Sequence, residues 1–148
     1  MAVAETNRND KKIAFIMLDL DHFKDVNDNF GHDIGDELLK EVSRRLVNIL
    51  RQTDTVCRMG GDEFGLLISD VSAKEMIDEV AQRILLIIGK PFILHGNEQM
   101  ISASVGIAIY PEDGETLETL IKHADAAMYQ AKKTGRNKYS YYRSRTTN

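Results

Sequence analysis

The chain has 148 residues, of which 43% are hydrophobic and 28% charged, and its net charge is −4. This length and composition are typical of one folded domain with a single core and argue against wholesale disorder. The acidic balance argues against a broad basic face for wrapping nucleic acid, so no nucleic-acid partner is expected. The single cysteine, Cys57, cannot form an internal disulfide, so nothing indicates an oxidising compartment.

No stretch of the sequence has the character of a membrane span or a secretion signal. The longest apolar run, around Ile84 to Ile88, is far too short to cross a bilayer. The first residues, Met1 to Lys12, are polar and lack the apolar core of a signal peptide. We therefore expect a cytoplasmic domain, standing alone or as the cytoplasmic part of a membrane-anchored protein.

The first predicted element is a strand. Lys12 to Asp19 is an apolar run that ends in acid, and its length and β-branched content favour a strand buried on both faces. A polar segment follows as far as Asn29, and Gly31 then precedes an apolar stripe that predicts an amphipathic helix. The stripe consists of Ile34, Leu38, Leu39, Val42, Leu46, Val47 and Leu50.

A hairpin and a second helix are predicted next. Thr55 to Met59 and Phe64 to Ile68 have the pattern of strands joined by a turn at Gly60-Gly61. Ser72 and Glu75 have the spacing of a capping box, which predicts the start of the second helix.

The remaining sequence predicts a second hairpin, a helix and a final strand. The hairpin joins Phe92 to Leu94 with Met100 to Tyr110 around Gly96-Asn97, the helix ends at Gly135, and the strand is Lys138 to Tyr142. No repeat or linker interrupts residues 1–148, so one domain is expected. The element order indicates the α+β class, with a central, mostly antiparallel sheet flanked by helices.

Two acidic residues carry the first chemical signal. Asp19 and Asp21 follow an apolar strand, and strand alternation sends both carboxylates to one face if the strand extends that far. A hard divalent cation such as Mg²⁺ prefers oxygen ligands of this kind, together with substrate phosphates. The alternative interpretation is that these acids simply mark the exit of the strand into solvent.

Three other motifs also allow a structural or a functional interpretation. Gly60-Gly61-Asp62-Glu63 could be an ordinary polar turn, or a turn whose glycines let a ligand approach the backbone. Lys132 and Arg136 stand four apart at the end of the last predicted helix, where they could complement the helix dipole or bind one phosphate chain. Arg51 and Asp54 could form a local salt bridge.

Five segments of the chain, taken in order, resemble the GGDEF domain of bacterial diguanylate cyclases, from about Lys12 to Tyr142. The resemblance implies a fold similar to class III nucleotidyl cyclases and polymerase palm domains. The segments are LDLDHFKDVND from Leu18, FGHDIGDE from Phe30, RMGGDEF from Arg58, SVGIA from Ser104 and ADAAMYQAKKTGRN from Ala124.

The resemblance implies a reaction and a metal site. Members of the family condense two GTP molecules into cyclic di-GMP and release two pyrophosphates, with one GTP in each half of a symmetric homodimer. By that resemblance Asp19, the Leu20 carbonyl and Asp62 hold Mg²⁺, for which Mn²⁺ could substitute, and Asp62 helps to deprotonate the attacking hydroxyl. Glu63 belongs to the catalytic signature, whereas Asp21 is left without a defined role.

The resemblance also implies a substrate site and an inhibitory product site. By that resemblance Asn27 and Asp36 recognise guanine. The phosphates are bound by Lys132, Arg136 and the backbone amides near His22, Phe23 and Lys24. The signature turn contains Gly60, Gly61 and Phe64. Arg51 and Asp54 match the RxxD site that binds cyclic di-GMP as an inhibitor, and Arg83 is the predicted secondary arginine.

One departure from the family concerns the start of the chain. The family usually opens with a helix and an Asp-x-Leu-Thr-Gly-Leu-x-Asn-Arg segment, whereas this region holds only Thr6-Asn7-Arg8. Residues 1–11 are therefore predicted to be a flexible or truncated opening segment, which leaves full turnover open.

Three functions remain in competition. A diguanylate cyclase with product inhibition is the leading hypothesis, because no mapped position is degenerate. A catalytically weak module that binds GTP or cyclic di-GMP, and regulates attached sensor or phosphodiesterase domains, is the second. A scaffold with a vestigial site is the third, and it leaves the metal acids unexplained.

Overall fold

The structure is a computed structural model that describes residues 11–143. Its helices and strands alternate along the chain in the order of a layered α+β domain. The elements are β1 (Lys12–Asp21), α1 (Phe23–Phe30), α2 (His32–Ile49), β2 (Thr55–Gly60), β3 (Glu63–Val71), α3 (Lys74–Ile88), β4 (Phe92–Leu94), β5 (Asn97–Gln99), β6 (Ser102–Tyr110), α4 (Leu117–Lys133) and β7 (Lys138–Tyr141).

Five strands form the central sheet in the order β2-β3-β1-β6-β7. The neighbouring pairs are antiparallel except for β6 and β7, which run parallel and are joined through α4. The fold class predicted from the sequence, a mostly antiparallel sheet flanked by helices, is therefore confirmed.

The central strand β1 separates two cores. Its even-numbered residues, including Ile16 and Leu18, pack in the core that also contains buried residues of α1, α2 and α3. Its odd-numbered residues Ile13, Phe15 and Met17 pack against α4. Both rows are 0–4% exposed, which confirms a strand buried on both faces. Asp19 and Asp21 continue the odd-numbered row and therefore lie on the α4 side.

A glycine allows α4 to approach the sheet closely. A Cβ atom on Gly106 of β6 would lie 2.1 Å from both the carbonyl oxygen of Ala124 and the amide nitrogen of Met128. Contacts this short exclude any side chain at that position. The absence of a side chain at Gly106 thus sets the distance between α4 and the sheet, and with it the position of Lys132 near the helix end.

The polar segment that precedes Gly31 contains helix α1, for which no element was predicted. Only Phe23 and Val26 of this eight-residue helix are buried, so its apolar stripe is too short to stand out. The residue before it, His22, has φ 62° and makes no side-chain cap, so the usual start signal is missing as well.

Two further predictions were wrong. The predicted second helix is present as α3, but it begins at Lys74 without the predicted side-chain cap, and the Ser72 hydroxyl instead donates to the sulfur of Met76 at 3.2 Å. The second hairpin joins β4 to the three-residue β5, whereas β6 pairs with β1 and β7 in the central sheet. Because β6 is apolar on both faces, its burial between two strands outweighs the local hairpin pattern.

The prediction for residues 1–11 falls almost wholly outside the described part of the chain, in which Lys11 is exposed and precedes β1. Between residues 11 and 143, no helix combines the length and the hydropathy needed to cross a membrane.

Candidate active site

The predicted acids meet where β1 ends beside the tip of the β2–β3 hairpin. Strand β1 extends to Asp21, as the alternation argument required, and Asp19 pairs in register with Glu63 of β3. The amide of Leu20 donates to the carbonyl oxygen of Asp62 at 3.3 Å. Gly61 has a positive φ of 42°, a backbone conformation that glycine adopts without strain. Asp19, Asp62 and Glu63 thus form one acid centre, a name used below for these three residues.

Burial and mutual repulsion perturb the acid centre. Burial, followed by the neighbouring Asp19 carboxylate, raises the pKa of Asp62 to about 6. Burial also raises the pKa of Glu63, with contributions from Asp19 and from Asp125 of α4. Both acids therefore hold a proton more tightly than exposed carboxyl groups do, and Asp125 is a neighbour of the site that no sequence motif indicated.

Asp19 has one paired and one unpaired oxygen. Its Oδ2 accepts from the Nζ atom of Lys132, while its Oδ1 is buried without a hydrogen-bond partner among the described residues. A buried carboxylate oxygen without a partner is costly unless a ligand satisfies it.

The donor set fits a hard divalent cation. Asp19, Asp62 and the Leu20 carbonyl offer only oxygen ligands, which Mg²⁺ and Mn²⁺ prefer. No cluster of three or more His, Cys, Asp or Glu side chains suited to a metal occurs in residues 11–143. A cation here would complete its coordination with substrate phosphates or water, as Mg²⁺ usually does.

Asp21 lies outside the acid centre, although it shares a face with Asp19. Its side chain is 1% exposed, and four donors surround its carboxylate. They are the hydroxyls of Ser102 and Ser104, both at 2.6 Å, the amide of Asn137 at 3.1 Å and a guanidinium nitrogen of Arg136 at 3.7 Å. The interpretation of this acid as a strand exit into solvent is therefore wrong. Alternation along β6 places both serines on one face, which was the available signal for their shared role.

The two predicted phosphate-binding cations lie beside the strand acids. Lys132, in the last turn of α4, pairs with Asp19. Arg136 was expected at the helix end but lies beyond it, in a turn where its φ is 63°. A role in complementing the helix dipole is thus available to Lys132 and not to Arg136.

The start of α1 provides backbone donors next to the acids. Helix α1 begins at Phe23, directly after β1 and the left-handed His22. The first amides of a helix have no partner within the helix and readily bind anions. The predicted amides of His22, Phe23 and Lys24 therefore lie at the same end of the sheet as Asp19.

The residues predicted to recognise guanine lie on adjacent helices. The Asn27 side chain of α1 lies against the backbone of α2, where a Cβ on Gly35 would be 1.8 Å from its Oδ1 atom. Asp36 follows Gly35 directly and is exposed. A groove of about 440 Å³ runs between α2 and the hairpin, lined by Asp36, Leu39, Lys40, Ser43, Arg58 and Phe64.

Arg51 and Asp54 form a salt bridge, as the first of their two interpretations predicted; the second was an inhibitory product site. The guanidinium donates two hydrogen bonds to the carboxylate, at 3.0 and 3.1 Å, and a third to the Ser69 carbonyl. Asp54, 2% exposed, also accepts from the Ser69 amide, and its hydrogen bond raises the pKa of Arg51. Arg83 is exposed and lies on α3, whereas Arg51 and Asp54 lie in the loop between α2 and β2. The inhibitory role of the three residues remains a prediction.

Comparison with known proteins identifies the family. The family model described as "Diguanylate cyclase, GGDEF domain" matches residues 1–138. The chain is 46% identical over 145 residues to the bifunctional diguanylate cyclase/cyclic di-GMP phosphodiesterase MucR of Pseudomonas aeruginosa, covering 97% of this chain and 21% of MucR. It is 43% identical over 132 residues to the cyclic di-GMP phosphodiesterase NbdA of the same organism, covering 89% of this chain and 17% of NbdA.

A solved structure shows the same architecture. The GGDEF domain of TpbB (YfiN) from P. aeruginosa superposes with a TM-score of 0.92 and 34% identity, covering 95% of this chain and 83% of that chain. The chain spans about a fifth of the length of the two curated relatives. The palm-like fold, the signature hairpin and the family match agree: the chain belongs to the GGDEF family of diguanylate cyclase domains.

Proposed function

We propose that this domain condenses two GTP molecules into cyclic di-GMP and two pyrophosphates in the cytoplasm, using Mg²⁺ or Mn²⁺. The observation that carries the proposal is the acid centre. Asp19 has a buried oxygen without a partner among the described residues, and burial, followed by the Asp19 carboxylate, raises the pKa of Asp62 to about 6. A divalent cation bound to nucleotide phosphates supplies the charge that this centre lacks.

Each half-site would align one GTP for transfer. Lys132, Arg136 and the first amides of α1 bind the phosphate chain, and Asp19, the Leu20 carbonyl and Asp62 hold the metal. The metal, when bound, lowers the pKa of the attacking 3′-hydroxyl and neutralises charge on the phosphates. Asp62 accepts the hydroxyl proton as the general base. Glu63 adds negative charge beside it.

Base selection and dimer formation complete the proposal. Asn27 supplies an amide and Asp36 a carboxylate, which together can read the donor and acceptor edge of guanine. The groove beside Asp36 is open enough to admit a planar base. Each chain has one acid centre, so joining two nucleotides needs two domains with their sites face to face in a homodimer.

Turnover of GTP tests the cyclase directly. With Mg²⁺ and GTP, the domain should form cyclic di-GMP, measured by anion-exchange chromatography. Asp62→Asn should lower the rate at least 100-fold, since it removes a metal ligand and the base. Glu79→Gln, which neutralises an exposed acid on α3, is the matched control and should retain the rate. Equal rates for the two variants would reject the assignment of Asp62.

Product inhibition through Arg51, Asp54 and Arg83 is the second part of the proposal. Cyclic di-GMP would replace Asp54 as the partner of the Arg51 guanidinium, whose planar donors suit a guanine edge. Arg51→Ala should weaken product binding at least tenfold in calorimetry and relieve inhibition, whereas Arg44→Ala, at another exposed arginine, should change neither. Unchanged affinity in Arg51→Ala would reject the inhibitory site.

A regulatory module is the second candidate function. The observation in its favour is that NbdA, 43% identical, is named a cyclic di-GMP phosphodiesterase. In that case the domain would bind GTP or cyclic di-GMP and control a sensor or phosphodiesterase domain in the full protein. GTP binding without detectable product, at every protein concentration, would favour this function over the cyclase.

A further inference from the structure

Asp21 is the most buried acid of the β1 end, yet the proposed reaction gives it no task. Its carboxylate connects three parts of the chain, namely β1, β6 and the turn between α4 and β7. Oδ1 accepts from Ser104 and lies 3.7 Å from Arg136, while Oδ2 accepts from Ser102 and from the amide of Asn137. Three hydrogen bonds and the nearby Arg136 guanidinium occupy both carboxylate oxygens, so neither is left for a metal.

The turn that Asp21 contacts has an unusual backbone. Gly135, Arg136 and Asn137 all have positive φ, at 129°, 63° and 50°. Glycine adopts positive φ freely and asparagine does so more readily than most residues, so Arg136 in particular needs surrounding contacts to remain in this region. Two contacts restrain the turn: the Arg136 amide donates to the Ala131 carbonyl of α4 at 3.0 Å, and the Asn137 amide donates to Asp21.

We propose that Asp21 is a positioning residue, which fixes the Gly135–Asn137 turn so that the Arg136 guanidinium stays beside the nucleotide phosphates. This inference rests on the phosphate-binding role of Arg136 in the proposed function. The nearest guanidinium nitrogen lies 3.7 Å from Asp21, beyond hydrogen-bond distance, and the Arg136 side chain is 42% exposed, so its nitrogens remain available to a ligand. Asp21 thus acts on the substrate through the turn, whereas Asp19 acts on it through the metal.

Two substitutions at position 21 separate positioning from metal binding. In Asp21→Asn, the amide oxygen can still accept from the Asn137 amide, and the Ser104 hydroxyl can rotate to accept from the new NH₂ group. The turn therefore keeps its anchor. In Asp21→Ala the anchor is lost. A metal ligand would behave differently, because an amide is a much poorer ligand than a carboxylate for Mg²⁺.

The experiment measures nucleotide binding by calorimetry with Mg²⁺, using GMP and a GTP analogue whose α–β bridge is a methylene group, which blocks turnover. Asp21→Ala should weaken the analogue about tenfold relative to GMP, as loss of one charged phosphate contact would. Arg136→Ala should show the same loss, and the double variant should add nothing further. Asp21→Asn should stay within about threefold of the original domain.

Three results would overturn the proposal. They are an equal loss for GMP and the analogue in Asp21→Ala, additive losses in the double variant, or a loss in Asp21→Asn as large as in Asp21→Ala. If Asp21→Ala does not fold, Asp21→Ser replaces it, since the short hydroxyl cannot replace the carboxylate at the Asn137 amide. Selective analogue binding without cyclic di-GMP formation from GTP would reject the cyclase and leave the role of Asp21 standing.

Discussion

At the scale of single residues, the acid centre links the stability of the domain to its proposed chemistry. The raised pKa of Asp62, about 6, means that the folded domain binds a proton more tightly than the unfolded chain does, whose aspartates titrate near 3.9. Stability contributed by the protonated form is therefore lost as the pH rises from about 4 through 6. Above that range the metal-free domain carries the full cost of two adjacent carboxylates.

Asp62→Asn should accordingly stabilise the metal-free domain at pH 7.5 although it lowers the rate of turnover. We expect a gain of about 1 kcal/mol, because solvent screens this partly buried carboxylate, or about 4 °C in melting temperature. The gain should vanish below about pH 4, where the original residue is protonated as well. Calorimetric melting curves across pH, with Glu79→Gln as control, measure it. A gain of the same size at every pH would contradict the electrostatic cause.

Gly35 should control base recognition although it cannot contact a base with a side chain. Gly35→Ala places a methyl group 1.8 Å from the present position of the Asn27 Oδ1 atom, so Asn27 must move. We expect GTP affinity to fall about tenfold, similar to Asn27→Ala, since one hydrogen-bonding group on guanine is misplaced. Val47→Ala, at a position of α2 that is 53% exposed, is the control. Unchanged GTP affinity in Gly35→Ala would show that Asn27 does not read the base.

At the scale of elements, the contact between α4 and β6 determines where Lys132 lies. Gly106→Ala adds a methyl group that meets backbone atoms of α4 at 2.1 Å, and backbone cannot rotate away as a side chain can. We expect a loss of about 2–3 kcal/mol in unfolding free energy, measured in urea, because the helix must shift outward. Gly60→Ala adds the same methyl group where nothing lies within 4 Å, and should cost under about 1 kcal/mol. Similar losses in the two variants would contradict this packing argument.

The elements also show what local patterns can and cannot predict. The strand Lys12–Asp21 contains a continuous apolar run, and the helices α2 and α4 carry long apolar periodicities, so the existence of all three followed from the sequence. Helix α1 was missed because two buried side chains give no visible period, and β6 was assigned the wrong partner because pairing in a sheet depends on tertiary burial. Periodicity thus identifies an element more reliably than it identifies its neighbours.

The candidate site likewise contains contacts that were predicted and contacts that were not. The residues Asp19, Asp62 and Lys132 were predicted through the family resemblance, and they do meet in space. The network of Ser102, Ser104 and Asn137 around Asp21 was not predicted, because it joins residues 81 and more positions apart through an ordinary pair of serines. Contacts of this kind become visible only when the sheet order is known.

At the scale of the whole molecule, the proposed reaction depends on association. In that proposal each domain holds one GTP at its acid centre, and joining two nucleotides requires a second domain opposite the first. If dimers are sparse, the rate per domain should rise with protein concentration, by up to about tenfold for a tenfold increase, and then level off as dimers saturate.

The rate of cyclic di-GMP formation per domain, measured with Mg²⁺ and saturating GTP from nanomolar to high micromolar protein, tests this account most directly. We expect product at micromolar protein, a rate per domain that rises with concentration before it levels off, and a rate for Asp62→Asn that is at least about 100-fold lower at every concentration. GTP binding without cyclic di-GMP across the whole range would contradict the proposed function, and a rate per domain that is constant from the lowest concentration upward would contradict a reaction limited by dimer formation.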